Sequence, residues 1–209
     1  MSTESTDNSE GVERLERGMP DLAHLEGSLR GKRELGRALG AHAQPSGRGA
    51  QLADGFVRLV EKALLEYQEA RARQIAFTAQ GDFDDWFRAQ DHFESCVQSL
   101  HRGIVYLERL RSLGCRRSDG EPFIPRPRDL EVLRDSVKTQ VRDMRDAVEH
   151  LDKDILDGNL SESATVGIHL QFEKATLGSL QLRYAEVARW IEQLHEFAAL
   201  LSRVNLVTT

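Results

Sequence analysis

The chain is poor in the features that announce common chemistries. It has two cysteines, Cys96 and Cys115, too few for a disulfide scaffold or a four-cysteine zinc site. No stretch approaches the roughly 18 apolar residues of a membrane span, so no membrane association is expected. The polar, acidic first residues lack the apolar run of a secretory leader, and a cytoplasmic protein is the expectation. An excess of positive charge is missing too: 28 Lys and Arg against 34 Asp and Glu give a formal net charge of −6. That excludes a protein coated in positive potential but leaves room for a local phosphate site. There is no glycine-rich phosphate loop, Walker pattern, zinc-finger spacing or RNA-binding aromatic sheet motif. Glu192-Gln-Leu-His195 has the E-x-x-H spacing of di-iron bundles but no second copy, and is expected to be a surface pair. His92 and His101 form no H-E-x-x-H. No metal and no cofactor is expected.

What is present is a helical protein. The 209 residues, 40% apolar and 30% charged, suit one substantial core or at most two small ones. Residues 1–49 hold half of the glycines and few apolar positions. They read as a Gly-rich arm, flexible or weakly helical, with a basic cluster at Arg30, Lys32, Arg33 and Arg37. Residues 50–209 read as a single helical domain. Phe56, Val57, Val60, Ala63, Leu64, Tyr67, Ala70 and Ala76 recur at helical spacing, with Asp54 as a possible cap, up to Gly81. Asp82 or Asp84 opens a second helix with the stripe Phe83, Trp86, Phe87, Phe93, Val97, Leu100, Ile104, Leu107 and Leu110, stopped by Gly114. These two should pack antiparallel. Cys96, beside that stripe, reads as a small buried hydrophobe, and Trp86 and Trp190 read as core.

A loop around Gly120, Pro122 and Pro125 leads to a third helix. It starts near Pro127, carries Leu130, Leu133, Val137, Val141, Met144, Val148, Leu151 and Ile155, and ends at Gly158. From Thr165 to Leu182 the period changes to two, which predicts a small two-stranded hairpin. Helical spacing resumes at Tyr184 with Val187, Trp190, Ile191, Leu194, Phe197, Ala198 and Leu201. The expected fold is all-α: four main helices with a small β-hairpin (about 165–182) before the last.

The third helix carries the most informative run, Arg142-Asp-Met-Arg-Asp-Ala-Val-Glu-His150. At 100° per residue, its apolar positions cluster within about 40° of one direction. His150 falls nearly opposite, Arg142, Asp146 and Glu149 lie on the polar side, and Arg145 is at the flank. An arginine fork suits a phosphoryl group gathering charge, and a histidine can move a proton near neutral pH. Together they suit RNA cleavage without a metal. Arg145, Asp146 and His150 resemble the motif of the HEPN superfamily: arginine, a polar residue, a few variable positions and histidine on a helix. The resemblance covers six to nine residues, with the bundle over 51–204 in loose support and the hairpin before the last helix as a departure.

The resemblance implies a metal-independent endoribonuclease active as a homodimer, with a composite site at the two-fold interface. It further implies a role in defence or toxin–antitoxin systems, with an antitoxin or defence partner. Arg145, Asp146 and His150 would be catalytic. Arg142, with Arg126 and Arg128 near the helix start, would bind RNA. Positions five apart are about 140° apart around a helix and roughly 7.5 Å along it, so one helix does not aim Arg145 and His150 at one phosphate. Two copies would ease this. The alternative is a non-catalytic helical interaction protein, for which Arg142–Asp146 and Arg145–Glu149 are i,i+4 ion pairs of a solvated face.

Overall fold

Gly81, with φ of +75°, and Asp82, whose carboxylate accepts a hydrogen bond from the Asp84 N–H at 3.0 Å, punctuate the longest apolar pattern in the chain. They divide it into the two helices around which everything else is arranged. The computed structural model describes residues 4–25, 27–38, 48–113, 116–117, 130–158, 167–203 and 206–207. Its helices are α1 (Glu4–Gly18), α2 (Leu29–Ala38), α3 (Arg48–Gln80), α4 (Phe83–Ser112), α5 (Asp135–Glu149), α6 (Leu151–Leu156) and α7 (Tyr184–Arg203), with a 3-10 turn at Glu131–Leu133. The architecture is a helical bundle with a small sheet before the last helix. No helix among the described residues is long and apolar enough to cross a membrane.

Helices α3 and α4 form a long hairpin, α7 packs against α3 and α4, and α5 lies along α4. The predicted apolar stripes are the ones buried: Phe56, Val60, Ala63 and Tyr67 on α3, Phe93, Val97, Leu100, Ile104 and Leu107 on α4, and Val187, Trp190, Ile191, Leu194 and Leu201 on α7. Each large side chain so enclosed contributes about 1.5–3 kcal/mol. Cys96 is fully buried among them.

Residues 1–49, expected as a Gly-rich arm with at most weak helical turns, instead contain α1 and α2, and Leu15, Met19, Leu22 and Leu29 are buried in the common core. Arg33, read as part of a basic cluster on that arm, is 5% exposed. Its Nε–H donates to Asp54 at 2.5 Å and an Nη1–H to the Leu201 carbonyl at 2.8 Å, which ties α2 to α3 and α7. Asp54 therefore stands inside a helix that begins at Arg48, not at its cap.

At the other end of the hairpin, Trp86 is half-buried rather than core. It stands in an outer cluster with Phe77, Phe83, Phe87 and His169, and Phe83 and Phe87 are 64% and 54% exposed. Glu192 and His195 are not a surface pair: His195 is buried, because α7 is enclosed by α2, α3 and α4.

The period-two segment is an antiparallel meander of β2 (His169–Leu170), β3 (Lys174–Leu177) and β4 (Leu180–Arg183), turning at Gly178. Where a two-stranded hairpin is expected over about 165–182, three strands form: the alternating run that includes Ile168, Leu170 and Phe172 supplies only the short β2, and β3 and β4 make the longer pair. The sheet rests on α4, α5 and α7. Two residues of the expected loop after α4 form β1 (Arg116–Arg117), paired antiparallel with β5 (Leu206–Val207).

Candidate functional site

Helix α5 is held by Val137, Val141 and Met144, spaced four and three apart, which face the core and turn the charged positions outward. The expected continuous third helix is interrupted twice. Arg134 is extended between the 3-10 turn and α5, and His150, at φ −111° and ψ 14°, separates α5 from α6. The second break sets Leu151 against the core and leaves Ile155, expected in the buried stripe, 47% exposed. The His150 N–H still donates to the Asp146 carbonyl at 3.0 Å, so its backbone remains in helical relation to Arg145. The imidazole is exposed, as its place opposite the stripe predicts.

Arg145 and Asp146 are brought together: a guanidinium nitrogen lies 2.9 Å from Asp146 Oδ1, and the other arm of the fork meets Glu149. The Arg145 Nε–H is buried without a hydrogen-bond partner. Arg142 pairs with neighbouring Asp143 at 2.9 Å rather than with Asp146. His150 is not joined to Arg145, because the two leave the helix in different directions. Arg126 and Arg128, expected to guide RNA, lie outside the described residues. Among the described residues no group of three or more His, Cys, Asp or Glu side chains could hold a metal ion.

Arg145 opens instead on a cleft of about 410 Å³ between α4 and α5. Its other walls include His101, Arg102, Tyr106 and Arg109 from α4 and Glu149 from α5. Burial, and then the Arg145 charge, push the His101 imidazole below its ordinary value of 6.5, while Asp146 and Glu149 pull it back. The Arg109 guanidinium lies 5.9 Å from the centre of the Tyr106 ring. Tyr106 in turn lies against Gly55 of α3, where a Cβ would fall 2.4 Å from the ring. Neither Arg102 nor Arg109 has a carboxylate partner among the described residues.

Sequence reasoning did not single out His101, Arg102, Tyr106 or Arg109 for this role. The signal was a polar stripe at Gln98, His101, Arg102 and Arg109, with Val105 among them, on the side of α4 away from its core stripe. Comparison of the chain with protein-family models, with curated proteins and with solved structures finds no match.

Proposed function

We propose that the protein is a metal-independent endoribonuclease of the HEPN type, in which Arg145, Asp146 and His150 act on one RNA linkage at a two-fold interface. The observation that supports this is an exposed histidine at the end of α5, five residues after an arginine that faces a cleft with two further arginines that have no carboxylate partner among the described residues. The ribose 2′-oxygen attacks its own phosphorus: the O2′–P bond forms, the bond to the 5′-oxygen breaks, and a cyclic phosphate and a 5′-hydroxyl end result. The imidazole of His150 takes the 2′-hydroxyl proton while water protonates the leaving 5′-oxygen, or as imidazolium it supplies that proton while water takes the one from the 2′-hydroxyl. The guanidinium of Arg145 meets the charge gathering on the phosphoryl oxygens, with Asp146 fixing its orientation. Arg145 and His150 diverge within one chain, so each linkage is held by an arginine of one copy and a histidine of the other. DNA lacks the attacking hydroxyl and is spared.

A second reading is favoured by the ion pairs of Arg145 with both Asp146 and Glu149, which neutralise the guanidinium. It makes α5 a charged contact face for another protein, with no chemistry. Purified protein incubated with single-stranded RNA in chelator separates the two. The nuclease leaves cyclic-phosphate ends, and His150→Ala abolishes cleavage while the circular dichroism spectrum is unchanged. Intact RNA across a broad panel, with the protein folded and dimeric by solution mass, refutes the nuclease and leaves the contact face.

A further inference from the structure

We propose that the α4 wall of the cleft carries a single strand of RNA, with Arg102 and Arg109 each on a phosphate of that strand. This rests on the ribonuclease reading for the identity of the polymer. Arg102 and Arg109 are both exposed and have no carboxylate partner among the described residues. Seven positions along a helix place them on one face, about 10.5 Å apart along the axis. That is too far for one small anion and suits a chain of phosphates. Tyr106 lies between them on the cleft wall, an aromatic ring beside which a base can rest. Arg145 closes the far side, so the strand is led towards the guanidinium proposed to act on it.

The other wall sets the strand number. On α5, Glu149 lines the cleft, and the Asp146 carboxylate stands next to Arg145, close enough to act on the charge of His101. A second phosphate backbone would meet that negative face and be repelled. Duplex RNA therefore binds more weakly than a single strand of the same length.

The test is fluorescence anisotropy with a short dye-labelled 2′-O-methyl oligouridine, which lacks the attacking hydroxyl and reports binding apart from cleavage. The logarithm of the affinity is followed against the logarithm of salt. Each neutralised phosphate contributes about 0.7 to the slope for a single strand, so Arg102→Gln and Arg109→Gln should each lower it by about 0.7, and the double variant by about 1.4. Arg88→Gln, an exposed arginine nearer the start of α4, should leave the slope unchanged. Equal slopes in the wild type and the double variant overturn the proposal, as does binding of a duplex at least as tight as that of the single strand. No binding at low salt overturns it too. Retained binding with the expected slopes but no cleavage of ordinary RNA supports this strand path and refutes the nuclease. Retained cleavage with slopes indifferent to Arg102 and Arg109 refutes the path alone.

Discussion

Gly18→Ala asks whether the N-terminal helices belong to the folded body. Gly18 is the last residue of α1, in right-handed backbone that alanine adopts freely. On a free arm, alanine there improves helix propensity by up to about 1 kcal/mol. In the structure the added Cβ falls 2.1 Å from the Phe172 carbonyl oxygen and 2.9 Å from its carbonyl carbon. Both are backbone atoms of the turn between β2 and β3, so relief requires moving α1 or the turn by more than an ångström. Overpacking of this kind costs about 1–3 kcal/mol, and the propensity gain offsets part of it, for a net loss of roughly 1–2 kcal/mol.

For a chain of this size that lowers the thermal midpoint by about 2–8 °C. The control is Gly27→Ala, where nothing lies within 4 Å of the new Cβ; it should hold or raise stability by up to about 1 kcal/mol. Calorimetry or denaturant unfolding of the full chain reads both. A Gly18→Ala chain at least as stable as the wild type refutes the packing of α1 on the sheet.

His101 should protonate below its ordinary 6.5, since burial and Arg145 both disfavour the imidazolium. Proton NMR of the ring reads this, and Arg145→Gln should move the titration upward; an unmoved titration contradicts the shared cleft. Its folded value lies below the unfolded one, so the unfolded chain binds more protons in the window between them. Stability therefore rises with pH up to about 6.5 and falls on acidification through that window, and His101→Gln should flatten this segment of the stability curve. Cys96 is fully buried and its thiol is pushed upward by burial, so in a Cys115→Ser background iodoacetamide should label it only after denaturation. Rapid labelling of the native chain contradicts its place in the core. Leu15→Ala, at a fully buried position, should cost about 2–5 kcal/mol; a cost below half a kilocalorie contradicts the burial of α1.

The hairpin of α3 and α4 was legible because its signals are local: a continuous 3.6-residue apolar period, a glycine at positive φ, and an aspartate cap. The stripe of α5 and the change of period before α7 were legible for the same reason. The N-terminal helices were not. Leu15, Met19, Leu22 and Leu29 fall about one to a turn between glycines, too sparse a pattern to imply burial, and partners distant in sequence enclose them. Arg33 misled because charge in a sequence reads as solvent exposure, whereas Asp54 and the Leu201 carbonyl, both remote in the chain, hold its Nε and Nη1 inside.

At the site, the exposure of His150 and the ion pair of Arg145 with Glu149 followed from helical spacing. The α4–α5 cleft did not, because it depends on which face of α4 the third long helix covers. The polar stripe on α4 marks a face turned from its core, not the helix that lies beside that face. The breaks at Arg134 and His150 were equally hidden, since neither position holds glycine or proline.

In the proposed nuclease a guanidinium and an imidazole from two copies of the chain meet at one RNA linkage. Mixing the Arg145→Ala and His150→Ala proteins under conditions that exchange subunits tests it most directly. Each variant alone should be inactive, and an equal mixture should recover about a quarter of wild-type cleavage, half of the dimers being mixed with one of their two sites intact. A mixture as inactive as its components, or either variant cleaving at the wild-type rate, contradicts the claim.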